Sequence, residues 1–230
     1  MIVSIHQPDF IPWLGFYYKV AHSDVFVYLD DAQFSNEAAH DFNFIKTQNG
    51  KLKIKIPVDY HFKDLICDVK VKNSHENISK MLKTIEQYYS RAPFFDKLYP
   101  VFKEIILSGY ETISDLNIAI NSWIFKGFGF KTKILKSSDL SVKTLREERV
   151  IDICLLAGGD EYLSGNGARA YQTESHFTSR GVKLTYLDYK PIEYKQLWGD
   201  FMPCMSVLDY IFNCGFDWEQ VEEKVKELNK

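Results

Sequence analysis

The chain has 230 residues, 46% of them hydrophobic, enough for one large domain, or one domain with an insertion, that buries its core without disulfides or metal. Its 28 basic and 31 acidic residues are dispersed, and the net charge of −3 excludes a nucleic-acid stripe or an anionic-membrane patch. Cys67, Cys154, Cys204 and Cys214 have no disulfide or metal-type spacing, no run of about 18 apolar residues exists and no leader opens the chain, so a cytoplasmic protein without a membrane span is expected.

Residues 2–5 are a β-branched run that reads as a buried strand, broken by His6-Gln7-Pro8-Asp9. Leu14, Tyr17, Tyr18 and Ala21 follow helical spacing, and 25–29 is a second apolar strand ending in Asp30-Asp31. Strand, helix and strand within about thirty residues make a right-handed βαβ unit. Residues 32–50 read as an irregular polar loop. Segments 51–58 and 65–71 alternate around a polar turn and predict a hairpin. Helices are expected at 77–89, 94–107 and 112–125. A strand at 132–135, a helix at 145–156, a strand at 162–163, a helix at 168–179 and a strand at 182–187 follow. Helices at 207–212 and 218–228 close the chain.

This alternation predicts an α/β fold: a doubly wound, mostly parallel sheet with an inserted β-hairpin and helical cap. The whole of 1–230 is read as one domain, with 51–128 as the insertion. Ligands of such sheets bind beyond the carboxyl ends of strands. That rule points to residues 6–13, 30–33 and 164–169.

Each stretch has a chemical and a plain reading. His6 can act as acid, base or anchor, with Gln7 orienting a substrate, or it can cap the strand. Trp13 is a stacking surface or a packing anchor. Asp30 and Asp31, with Gln33 beyond, can work as acid and base, hold a metal or a sugar hydroxyl, or cap a turn; alternation along a strand would aim only one of them at a cleft. Asn43 and Lys46 lie in the polar loop. Ser164, Gly165, Asn166 and Arg169, ahead of the helix expected at 168–179, can cradle an anion, although the pattern is neither GxGxxG nor a P-loop. Gln196 belongs to a dense stretch that leads to Ser206, Asp209 and Asn213, three polar residues on one stripe of an apolar helix and therefore a buried cluster or a ligand-facing edge.

Three blocks together resemble the WbqC-like family: IHQPDFIPWLGFYYKVAHSDVFVYLDDAQFS at 5–35, YLSGNGARAY at 162–171 and YKQLWGDFMPCMSVLDYIFNCG at 194–215. The resemblance carries over His6, Gln7, Pro8, Trp13, Gly15, Asp30, Asp31, Gln33, Ser164, Gly165, Gln196, Ser206, Asp209 and Asn213. It implies a place among O-antigen and other surface-polysaccharide genes, with no reaction or cofactor attached. The family's arginine-containing loop after the aspartates reads SNEAAHDFNFIK here, without arginine. A fainter likeness to HxGH nucleotidylyltransferases fails at the chemistry, because Trp13 and Phe16 stand where imidazoles are needed. The expectation is a transferase acting on a nucleotide-linked amino sugar by acyl or aminoacyl transfer, with His6, Asp30 and Asp31 as catalytic groups. Metal-dependent nucleotidyl transfer and a non-catalytic scaffold are the alternatives.

Overall fold

A computed structural model describes residues 1–72 and 74–230. In chain order its elements are β1 (Ile2–His6), α1 (Leu14–Ala21), β2 (Val25–Tyr28), β3 (Phe42–Thr47), β4 (Gly50–Lys55), β5 (Val58–Asp59), β6 (Lys70–Val71), α2 (His75–Tyr89), α3 (Phe95–Leu107) and α4 (Ile113–Phe128). There follow β7 (Lys133–Lys136), α5 (Ser137–Leu140), α6 (Arg146–Leu156), β8 (Glu161–Ser164), α7 (Glu174–Ser179), β9 (Lys183–Tyr186), α8 (Val207–Cys214) and α9 (Trp218–Leu228). Among the described residues no helix is long and apolar enough to cross a membrane.

The chain groups into two compact units. The first comprises Met1–Gln7, Gly15–Ala32 and Phe130–Tyr189; the second comprises Pro8–Leu14, Gln33–Gly129 and Lys190–Lys230. The insertion expected at 51–128 lies in the second unit, which also takes in two more segments.

The first unit holds a five-stranded parallel sheet in the order β7-β2-β1-β8-β9. The expected doubly wound α/β architecture is what the strands form. β1 and β2 are almost continuously buried, as strands covered on both faces must be. Alternate residues divide between the faces. Val3, Ile5, Val25 and Val27 pack with Ile151, Ile153 and Cys154 of α6 and Phe177 of α7. On the other face Phe16 of α1 meets Phe26 and Tyr28 edge-on or tilted. The turn from α6 into β8 needs glycine twice. Gly158 has φ +85°, and a Cβ on Gly159 would stand 2.4 Å from Val3 Cγ2.

The second unit contains the β3–β4 hairpin, the short β5–β6 pair and helices α2, α3, α4, α8 and α9. Its aromatic core includes Phe95 stacked on Tyr99 and edge-on to Phe212, which also meets Tyr89.

Two expected elements are corrected. The hairpin is formed mainly by 42–47 with 50–55, leaving only Val58–Asp59 paired with Lys70–Val71. The polar loop expected at 32–50 therefore contains a strand. Its signal was Asn49-Gly50, a hairpin-turn pair, with Gly50 at φ +100° and the Thr47 hydroxyl donating to Gly50 O at 2.7 Å. The helix expected at 168–179 begins only at Glu174, and a single 3-10 turn, Asn166–Ala168, follows Gly165. The Ser-Gly stretch thus sits on a turn and no α-helix amino terminus stands behind it.

Candidate functional site

In the first unit the topology determines where chemistry collects. From β1 the chain moves outward through β2 to β7, then returns to the opposite side of β1 for β8 and β9. The strand order reverses between β1 and β8. In doubly wound sheets such a switch point, at the carboxyl ends of the two strands, is where ligands bind. Here those ends are His6-Gln7 and Ser164-Gly165.

His6 is half-buried, edge-on to Phe16 at 5.2 Å, with Nδ1 3.0 Å from the Gln7 carbonyl. If Nδ1 carries the proton and donates to that carbonyl, the lone pair lies on Nε2. Ser164 is buried and its hydroxyl donates to Gln172 Oε1 at 2.8 Å. Beneath it, burial pushes the Tyr162 phenol up to about 12. Beyond Ser164 the turn opens outward. A Cβ on Gly165 or Gly167 would meet no atom within 4 Å. Arg169 is exposed, yet its Nε donates to Asn166 Oδ1 at 3.3 Å and its guanidinium lies 4.1 Å over the Tyr186 ring. The stack and the bond orient the planar fork.

Asp30 and Asp31 lie past the end of β2, where strand alternation no longer applies, and both carboxylates reach Ser137. Asp30 is 1% exposed. It accepts from Ser137 Oγ at 3.2 Å, Ser138 N at 3.0 Å and Ser138 Oγ at 2.7 Å. Asp31 forms an ion pair with Arg149 of α6, and its side chain keeps 19% exposure. The partners Ser137 and Ser138 follow directly on β7, so the strand-end rule that selected the aspartates also reaches them. Arg149 carried no comparable signal, being one of several charged residues on a helix.

In the second unit, the segment Pro8–Leu14 is held by three asparagine amides. Asn117 Nδ2 donates at 2.7 Å to the carbonyls of Pro8 and His40, Asn121 Nδ2 to Asp9 O at 3.2 Å, and Asn43 Nδ2 to Phe10 O and Ile11 O at 3.0 Å each. Asn43 Oδ1 accepts from Phe44 N, so this amide serves its own backbone. The grip supports Ile11 at φ +39°, a conformation unfavourable for a β-branched residue. Trp13 is 37% exposed and pairs in an isolated bridge with Ser206, while exposed Gln33 pairs likewise with Leu65.

Asp209, with no exposed surface, is the centre of a second cluster. Its carboxylate accepts from Tyr89 Oη at 2.7 Å, Tyr194 Oη at 2.9 Å and Gln196 Nε2 at 2.7 Å. Burial raises its pKa above the ordinary aspartate value, with the three donors and the Lys46 charge opposing. Burial first, and the carboxylate second, hold both tyrosines well above the usual phenol range. Ser206 caps α8 through Leu208 N, and Asn213 donates to Asp209 O at 2.7 Å. Lys46, 1% exposed, donates to Gly199 O at 3.2 Å and Asp200 O at 2.5 Å. The polar stripe expected on this helix is therefore a buried network that fixes the irregular segment around residues 194–202. Tyr89 and Lys46 complete it from other elements; Lys46 was noted only as a polar-loop residue, and nothing in the local sequence marked Tyr89.

The model of the WbqC-like protein family matches residues 7–221. An uncharacterized protein of Mycobacterium tuberculosis is 32% identical over 220 residues, spanning 93% of this chain and 94% of its own length. With nearly the full length matched on both counts, this chain belongs to the WbqC-like protein family.

Proposed function

We propose that the chain is a cytoplasmic transferase of surface-polysaccharide biosynthesis, such as O-antigen assembly, that acts on a nucleotide-linked amino sugar by acyl or aminoacyl transfer. The observation that carries this reading is the strand reversal between β1 and β8, which sets His6-Gln7 opposite a glycine-rich turn at one edge of a parallel sheet. Backbone N–H groups of that turn and the oriented guanidinium of Arg169 suit a pyrophosphate. His6 Nε2 takes a proton from the sugar amine as its nitrogen bonds to the acyl carbon of an activated donor. The donor's leaving group departs from that carbon with the bonding pair and receives the proton from His6. Asp31, the more exposed acid, orients a sugar hydroxyl, and Asp30 fixes the loop that carries it. Gln7 positions the substrate beside His6.

A divalent metal on Asp30 and Asp31 fits less well. Asp30 is already satisfied by three protein donors and Asp31 by a cation, a set that leaves little acceptor capacity for an ion. The test is thermal stabilisation of purified protein by a panel of uridine- and thymidine-diphosphate amino sugars, repeated with His6→Ala and Arg169→Ala. Stabilisation of the wild type that is lost in Arg169→Ala supports the pyrophosphate site. If both variants respond like the wild type, the assignment is wrong.

A further inference from the structure

The β3–β4 sheet has two strands, so among the described residues β4 has no neighbour on its outer side. Hydrogen bonding shows which backbone groups face that side. Phe44 O accepts from Ser206 N and Lys46 N donates to Tyr89 Oη, so alternate residues of β3 turn their backbone away from β4. Their partners in register are Lys53 for Phe44 and Lys51 for Lys46, and Lys55 opposes Phe42. In an antiparallel ladder these non-bonded partners present N–H and C=O to the open edge.

Beside this edge runs a groove of about 430 Å³, bounded on the strand side by Leu52, Ile54 and Pro57 and on the α2 side by Lys80, Met81 and Thr84. Its floor is apolar. Its rim is basic, with Lys53, Lys55 and Lys80 all exposed. Lys51 and Lys53 also lie over the rings of Phe44 and Phe42, which holds their stems along the strand. A strand with an unpaired edge and an apolar trough alongside is the geometry for strand addition, in which the main chain supplies affinity and alternate side chains enter the trough.

The lysines select the occupant. A second copy of β4 would set lysine against lysine along the new ladder, which is repulsive. An extended segment alternating acidic and apolar residues places carboxylates beside Lys51 and Lys53 on one face and apolar side chains over Leu52, Ile54 and Met81 on the other. We propose that the open edge of β4 is a docking site for an acidic, extended peptide segment of a partner protein, added as a third strand to the β3–β4 sheet.

The probe is a blocked heptapeptide of alternating Glu and Val, titrated by fluorescence anisotropy into the full chain. The expected result is saturable binding that weakens with salt, with slowed amide exchange at Lys51, Lys53 and Lys55. Lys51→Glu with Lys53→Glu should weaken binding about tenfold, since two surface pairs become repulsive. A Lys-Val peptide should then bind the reversed variant and not the wild type. Methylating the peptide nitrogens that face β4 should abolish binding while leaving charge unchanged. Three results would overturn the proposal: equal binding of the Glu-Val peptide to the reversed variant, no exchange protection at 51–55, or a dimer of the chain that Lys53→Glu dissolves. The first two would leave the lysines as guards against edge pairing, and the third would make the occupant a second copy.

Discussion

Removing the Asp209 carboxylate is the sharpest perturbation of the second unit. In Asp209→Ala, Tyr89 Oη, Tyr194 Oη and Gln196 Nε2 lose a common acceptor in a place water does not reach. Each orphaned donor costs about 1–3 kcal/mol, although Gln196 keeps its bond to Met202 O. A total of about 3–5 kcal/mol is expected, a large share of a domain's stability. Asp209→Asn keeps one acceptor but aims an N–H at a donor, so about 2 kcal/mol is expected. Paired with Tyr89→Phe in a double-mutant cycle, Asp209→Ala should show a coupling of about 1–2 kcal/mol. Urea denaturation followed by tryptophan fluorescence is the assay, because Trp13, Trp123, Trp198 and Trp218 all belong to the second unit. The pH dependence has a definite sign. The folded carboxyl has a pKa raised above 3.8. It therefore costs stability above its folded value, and that cost vanishes below 3.8. Relative to Asp209→Asn, the wild type should lose stability as pH rises through that interval. A loss below about 1 kcal/mol in Asp209→Ala, or no coupling to Tyr89, would refute the network as a structural centre.

Asp30→Ala should destabilise the first unit by about 2–3 kcal/mol, read as faster amide exchange in β2 and β7, because Ser138 N and the Ser138 hydroxyl lose their acceptor while the Ser137 hydroxyl keeps Asp31. Lys46→Met keeps the stem and removes the ammonium held by Gly199 O and Asp200 O. Limited proteolysis near residue 200 should accelerate in this variant while the aromatic core stays intact. Gly159→Ala, with its new methyl 2.4 Å from Val3 Cγ2, should cost about 1–3 kcal/mol in the first unit.

The parallel sheet was legible because its strands are short, continuously apolar and separated by helical spacing. That pattern identified β1, α1 and β2 closely, and the strand-end rule then pointed to His6, Asp30 and Ser164. The β3 strand was not legible by the same means. Its alternation is weak, since Asn43 and Lys46 are buried polar residues whose partners lie far along the chain. The start of α7 was misplaced because small polar residues at 164–168 read equally as a helix cap and as a turn. Roles were hardest of all. The sequence placed Asp30 beside a strand end, but only the serines from β7 show that its carboxylate is occupied by its own chain. In the same way, Asp209 reads as one member of a stripe until Tyr89, Tyr194 and Gln196 converge on its carboxylate.

The central claim is that a nucleotide-linked sugar lies against the turn after β8, and one methyl group tests it. Gly165 has φ −75° and open space where a Cβ would point, so Gly165→Ala should leave the first unit's stability unchanged. Calorimetric titration of a uridine-diphosphate amino sugar should show binding to the wild type and at least about tenfold weaker binding to Gly165→Ala, because a pyrophosphate must approach that backbone closely. Equal affinity of the two proteins would contradict the account.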